Sequence, residues 1–522
     1  MMSEDLMRQR RDFLKLALVG ALSGVGARVA DAAETTEAAA PAVAPASVSP
    51  PAFTAETVID LARQLAKTPF KAPKSALPEP FTNLTYDQYV AIRAQPGSAL
   101  WSGDNVGFAL EPLHRGFIFS TPMEINVVEN GAPRRIAYDR AAFDLGKLQP
   151  STDTSDIGFS GFRVLAAVEG QGLQEVAIYQ GASFFRAKAR GQTMGVTARG
   201  LSIHTGDPQG EEFPLFRSVW IEKPTLAANA LTIHALLDSV SATGAFTFTL
   251  RPGEATIIDT QSTIFARVAV DHFGLGPMSA IYLFGDLDHR KTDDVRPNVY
   301  EINGLQMLTG KGEWIWRPVA NRETLQVSAF VDQNPHGFGL LQRSRSFYTF
   351  QDDDQHWELR PSLWIEPIGD WGDGEVQLLE IPSESENNAN IIAQWRPKAG
   401  IAEGATKSFA YRQFWCWSPP ARPTLAVCTG VRKGKIGKAV RFVIEFSSDL
   451  FGDPTRSAGL KANIAARPGQ IIWSRVVLSA ERKTARATFD LDPGSELFSE
   501  LRLLLEFSGQ PASETWLYRW TA

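Results

Sequence analysis

Short alternations of apolar and polar residues dominate this 522-residue chain from about Gly107 onward. Segments 116–129 (GFIFSTPMEINVVE), 231–239 (LTIHALLDS), 245–253 (AFTFTLRPG) and 256–267 (TIIDTQSTIFAR) are typical. They are rich in Val, Ile, Thr and aromatic residues and are separated by Gly, Pro, Asn and Asp clusters. Alternation at period two places one side of each segment on a core and the other towards solvent, which marks half-buried strands. The run continues to Trp395, too many strands for one small sandwich, and predicts a large antiparallel structure of two facing sheets. Helical periodicity is confined to two places. In Thr54–Ala66 a threonine cap precedes Val58, Ile59, Leu61 and Leu65 on one face, and Thr85–Ala94 is a shorter candidate.

A turn-rich stretch, Arg396-Pro397-Lys398-Ala399-Gly400, suggests a hinge at 398–406 between a first domain, 52–397, and a second, 407–522. The second holds seven short strand-like segments at regular spacing, from 408–417 (SFAYRQFWCW) to 515–520 (TWLYRW), which predicts an immunoglobulin-like sandwich. The fold class is therefore all-β.

The N-terminus reads as an address. Arg10-Arg11-Asp12-Phe13-Leu14-Lys15 precedes an apolar run of small residues that ends at Ala30-Asp31-Ala32. That pattern gives a signal peptide at 1–32, resembling the twin-arginine export signal of bacteria, with the export machinery as a partner and the periplasm as the destination. Residues 33–51, rich in Ala, Pro, Ser, Thr and Glu, are expected to be a disordered linker. A formal charge of −6 and a pI near 5.8 argue against nucleic acid or an anionic membrane surface as a partner. The two cysteines, Cys416 and Cys428, lie in neighbouring predicted strands, and both a pair of buried thiols and a cross-strand disulfide remain open.

No nucleophile elbow, zinc-protease motif or phosphate-cradling loop is present. The seven histidines are scattered without ligand spacing, so neither a metal nor another cofactor is expected. What remains is carboxylates and aromatics. Arg360–Pro397 holds three tryptophans and seven carboxylates, a mixture that no periodic core requires and that suits the wall of a carbohydrate site. Aromatic faces lie on sugar rings, polar groups bind hydroxyls, and a carboxyl pair cleaves glycosidic bonds.

Several motifs carry a resemblance to a known family. They are GFSGFR (158–163), GASFFR (181–186), TARGL (197–201), EEFP (211–214), ALLDS (235–239), GEWI (312–315), NPHGFGLLQ (334–342), RPSLWIEP (360–367) and SETWLY (513–518). In order along the chain they resemble the periplasmic glucan biosynthesis proteins G and D, and the leader is similar to that of a D-type member. The resemblance implies a mutarotase-like antiparallel β-sandwich joined to the immunoglobulin-like domain, and a role in making osmoregulated periplasmic glucans with a β-1,2-linked backbone. A glucan-synthesising membrane partner fits the same picture. Some members are similar to inverting hydrolases or transglycosylases, with an aspartate after the Glu-Ile-Pro motif as acid and one upstream of Gly-Glu-Trp as base.

Carried onto this chain, the acid position falls on Ala389, which has no proton to give, and the base position on Glu301. Tyr300 and Asn303 stand where histidine and aspartate are expected. Glu384 and Glu386 are the nearest carboxyls in sequence that could replace the acid, although each reads more simply as a solvated loop residue, and Asp352-Asp353-Asp354 reads as an exposed turn. Tyr300, Trp314, Trp357, Arg360, Trp364, Glu366 and Trp371 are the expected sugar contacts. Two functions follow: a glucan-processing enzyme with weak or altered catalysis, or a glucan-binding or assembly protein that has lost its acid.

Overall fold

The computed structural model describes residues 52–149, 156–168, 170–226, 228–288 and 293–522. The expected leader and linker, 1–51, lie outside the described residues. Within them the architecture is all-β, as the alternation predicts: a fifteen-stranded and a ten-stranded sheet carry most of the chain.

The two sheets face each other across one large core. Leu231–Asp238 and Ala242–Arg251 pair antiparallel in the larger sheet, and their alternate residues Ile233, Ala235, Leu237, Phe246, Phe248 and Leu250 turn inward. Gly161–Val168 and Gly172–Gln180 do the same from the smaller sheet with Phe162, Val164, Ala177 and Tyr179. Phe248 meets Tyr179 and Phe185 across the interface, at 5.6 and 5.2 Å between ring centroids. Each such side chain withdrawn from water contributes about 1.5–3 kcal/mol before conformational entropy is counted.

The first predicted helix forms at Ala55–Leu65 and lies on the outer face of the larger sheet. Its contact stripe keeps Val58, Ile59 and Leu65 of the expected set, with Ala62 buried in place of Leu61. Val58 and Ala62, one turn apart, seat against Trp220, Leu236, Ala245 and Phe265, while Leu61 is 41% exposed. A helix lying flat on a sheet buries a narrow i, i+4 stripe, and small Ala62 fits beneath bulky Trp220 and Phe265. The second helix is only Tyr86–Ala91, entered through a reciprocal capping box between Thr85 and Gln88.

The hinge expected at 398–406 is corrected by the strand pairing. Thr406–Cys416 is an interior strand of the larger sheet, between Thr256–Ala266 and Ser362–Ile368. Residues 398–405 are thus a turn within the first sandwich, and the chain leaves that sandwich between Cys416 and Val427. Turn residues look alike whether they join two strands of one sheet or two domains, so composition misplaced the boundary. Beyond it, Val427–Ile436, Ala439–Ser447, Thr484–Asp492 and Gln470–Ser479 form a four-stranded sheet. It packs on Leu460–Arg467, Phe498–Phe507 and Thr515–Thr521 through Phe442, Phe489, Trp516 and Tyr518. The second layer continues the larger sheet of the first unit, because Ile315 and Trp316 pair parallel with Thr515 and Trp516.

A buried ion pair spans the junction. Glu514, 0% exposed, accepts two hydrogen bonds from Arg343 (2.6 and 3.0 Å), one from Gln306 (3.1 Å) and one from the Cys428 N–H (2.8 Å). Within the first unit, Glu380 accepts from Arg317 (3.1 Å) and the Ala320 N–H (2.7 Å). Cys416 and Cys428 are both buried and free, so of the two alternatives the thiols hold. Burial pushes the Cys416 thiol up to about 12, which leaves it inert as a nucleophile at neutral pH.

Candidate functional site

Glu301 sits where a short ladder ends. Tyr282–Phe284 pairs antiparallel with Val299–Tyr300, and the rings of Tyr282 and Tyr300 stack at 5.4 Å. One residue on, the Glu301 N–H donates to Ile281 O (2.9 Å), and the Ile281 N–H donates back to Glu301 Oε2 (3.1 Å). The carboxyl is therefore held by one backbone N–H, beside a main chain paired to the same residue, and Glu301 is only 5% exposed. Burial raises its pKa above the ordinary 4.5, and the charges of Arg186 and Arg360, with the Ile281 hydrogen bond, oppose that rise.

Both arginines are fixed by neighbouring loops and strands. Arg186, on Phe184–Ala187, donates through Nε to Thr197 Oγ1 on the adjacent strand (2.7 Å). Arg360 donates to Met194 O and to Gln355 Oε1 (2.9 Å) and lies over the Trp357 ring at 5.2 Å. A side chain at Gly195 would collide with Arg360 and Pro361, so glycine there admits the close approach. The outcome is a buried carboxyl attended by two guanidinium groups, able to accept a proton or a hydroxyl hydrogen bond.

The raised pKa sets a sign. Between 4.5 and its folded value Glu301 is protonated in the folded chain and ionised in the unfolded one, so its contribution to stability falls as pH rises through that window. Glu301→Gln has no such proton. Its melting temperature relative to wild type is expected to improve from pH 4.5 upward and to level off above the folded pKa; parallel melting curves against pH would contradict the raised pKa.

Position 389 approaches from the other edge. Ala280 pairs with Ile391, and just before it Asn390 clamps Tyr282, accepting from its N–H (2.8 Å) and donating to its carbonyl (2.9 Å) and to Ile381 O (3.1 Å). Consecutive strand residues turn their backbone groups to opposite edges. Glu301 thus holds Ile281 while Asn390, the residue after Ala389, holds Tyr282.

The loop that carries Ala389 is tethered. Arg296 binds Asp294 (2.7 Å), Asp352 (2.8 Å) and Glu386 (2.6 Å), and those carboxylates hold its own pKa well above the usual arginine range. Glu386 is therefore not the solvated residue that its loop suggested. Of the run expected as an exposed turn, Asp353 and Asp354 are exposed in a turn, whereas Asp352 is buried and also accepts from the Trp357 indole N–H (2.9 Å). Burial pushes its pKa up, yet the bonds from Arg296, Trp357 and two backbone N–H groups win and leave it at about 2. The expectation missed Asp352 because an Asp-Asp-Asp run carries no mark of which member turns inward.

Most of the expected sugar contacts are placed elsewhere. Trp364 is 0% exposed and points to the reverse face of the larger sheet, stacked on Trp314 at 5.9 Å in the core shared with the C-terminal unit. Glu366 follows it on that face and accepts its indole N–H (3.1 Å). Alternation explains this, since Leu363 and Ile365 take the inward positions. Trp371 lies in the main core against Tyr411 and Trp395, its N–H donated to Ala410 O (3.2 Å). Trp357, 1% exposed, supports Arg360 and offers no open ring face. Tyr300 is buried, its hydroxyl 3.2 Å from Ser344 Oγ, and Phe350 packs on its ring (4.9 Å). Of the expected contacts, only Arg360, Trp357 and Tyr300 gather around Glu301. On the same short helix as Phe350, Tyr348 is 82% exposed.

Arg186, Thr197, Arg296 and Asn390 were not singled out from sequence. Arg186 and Thr197 lie inside GASFFR and TARGL, so a signal existed; Arg296 and Asn390 stand in no motif. Among the described residues no group of His, Cys, Asp and Glu has the arrangement of a metal site.

These features define an all-β, two-layered protein with a buried carboxyl–guanidinium site. The chain belongs to the periplasmic glucan biosynthesis protein family: residues 53–520 match the family described as "Periplasmic glucan biosynthesis protein, MdoG". It is 41% identical over 483 residues to a glucans biosynthesis protein G of Vibrio cholerae, covering 90% of this chain and 87% of that protein. The protein of the same name from Shewanella baltica is 39% identical over 528 residues, covering 97% and 96%. A role in glucan biosynthesis follows from this membership.

Proposed function

We propose that the chain binds a β-1,2-linked glucan backbone around Glu301, Arg186 and Arg360, and that Ala389 leaves it a poor catalyst of backbone cleavage. What supports this reading is that Glu301 holds Ile281 while Asn390, the residue after Ala389, holds the adjacent Tyr282. The carboxyl position survives, and a methyl group stands where the resemblance expects a proton donor. A positioned general acid contributes on the order of 10² to 10⁴ in rate, and Glu386, the neighbouring carboxyl, is occupied by Arg296. In this reading the leader directs a D-type family member through the twin-arginine machinery to the periplasm, where it receives glucan from a membrane-bound synthesising partner.

The enzyme reading keeps support from Glu301, which retains a carboxylate in a buried setting suited to a general base. Residues 33–522 incubated with linear β-1,2-glucan separate the two. Binding with little release of reducing ends is expected. Rapid release, abolished in Glu301→Gln, would establish a hydrolase and overturn the loss of catalysis.

A further inference from the structure

Gln326–Gln333 closes one end of the ten-stranded sheet and pairs with Asp373–Glu380 along one edge. On the same register the Asn334 N–H donates to Gly372 O (2.9 Å). The two-residue alternation of an antiparallel ladder then turns the backbone groups of Val327, Ala329 and Val331 away from the sheet. This edge, QVSAFVDQ, has none of the usual protections: no proline, no lysine and no bulge. Its one charged residue, Asp332, is engaged by the Gly310 N–H (2.9 Å), and Val327 and Val331 are exposed.

Beside this edge runs a groove of about 610 Å³. It is bounded by the strand itself and by side chains from the C-terminal unit, among them Arg467, Arg502, Arg519, Leu517 and Glu500. Arg502 pairs with Glu313 (3.0 Å) and Arg519 with Glu500 (3.1 Å). Both pairs have solvent-exposed members, so an incoming carboxylate exchanges with them at small cost. Arg467 has no carboxylate partner among the described residues. Free main-chain groups recurring every second residue beside a guanidinium-rich surface fit an extended polypeptide better than a sugar chain, which has no matching repeat of donors and acceptors.

We propose that this groove takes an extended acidic segment of a partner protein, added as a further strand on Gln326–Gln333, with carboxylates at alternate positions over Arg467, Arg502 and Arg519. An eight-residue edge offers about 27 Å of pairing length. This site is separate from the one around Glu301 and stands whether or not that one binds glucan.

The probe is a labelled heptapeptide of alternating glutamate and valine, compared by fluorescence anisotropy with a peptide of the same composition in block order. Residues 33–522 are expected to bind the alternating peptide at least tenfold more tightly, with affinity falling as salt rises. Ala329→Pro, which removes an outward N–H, and the double variant Arg467→Glu with Arg502→Glu are each expected to weaken it at least tenfold while melting within a few degrees of wild type. Equal binding of the two peptides, binding of neither, or insensitivity to both variants overturns the proposal. Displacement of the peptide by a sulfated oligosaccharide, with Ala329→Pro without effect, would also overturn it and assign the groove to an anionic glycan.

Discussion

An Ala389→Asp variant is expected to release reducing ends from linear β-1,2-glucan about a hundredfold faster than the unmodified chain, the lower end of what a positioned general acid supplies. The site is arranged to accept the change. Asn390 fixes the backbone beside position 389 through three hydrogen bonds to Tyr282 and Ile381, so the new carboxyl starts from a held main chain. The nearby cation, Arg296, is already shared among Asp294, Asp352 and Glu386, which leaves little unbalanced positive charge to ionise the new acid. Partial burial favours its neutral form, as a proton donor requires. A colorimetric time course of reducing ends measures the gain, and Glu301→Gln in the same background is expected to cancel it. No gain would place the divergence in the rest of the site, with Tyr300 and Asn303 the first residues to restore.

The second large effect concerns the junction of the two units. Glu514→Ala is expected to cost about 3–5 kcal/mol of stability, because it strands a largely buried guanidinium. Arg343 would keep the Cys428 carbonyl (2.8 Å) and its seat over Trp316 at 3.5 Å but lose both carboxylate bonds. Gln306 and the Cys428 N–H lose acceptors as well. Removing the half-exposed Glu313, paired with Arg502, is expected to cost no more than about 1 kcal/mol. Urea unfolding of the two variants side by side reads the contrast; equal costs would mean that the Glu514 cluster does not hold the units together.

The all-β fold was legible because alternation is a local property that survives folding: the segment 231–239 alternates in the sequence, and its Ile233, Ala235 and Leu237 are inward in the structure. The same rule misled at the site. Trp364 and Glu366 sit two apart beside Arg360 and look like one wall, yet period two sends them to the reverse of the sheet. Trp371, further along the segment, is taken up by the core. The residues that build the site come from distant stretches, Arg186, Glu301, Arg360 and the loop at 386–390. Their meeting depends on strand order, which no local pattern encodes. The boundary after Cys416 was hidden for the same reason, since the strand Thr406–Cys416 has the alternation of either unit and only its partners assign it.

Calorimetric titration of residues 33–522 with a linear β-1,2-glucan oligosaccharide, repeated on Arg360→Ala, reads glucan binding at the Glu301 site itself. Saturable binding by the unmodified chain is expected, weakened at least tenfold in Arg360→Ala, whose fold is checked by its melting curve. No binding by the unmodified chain, or equal binding by a correctly folded Arg360→Ala, would contradict the proposed glucan site.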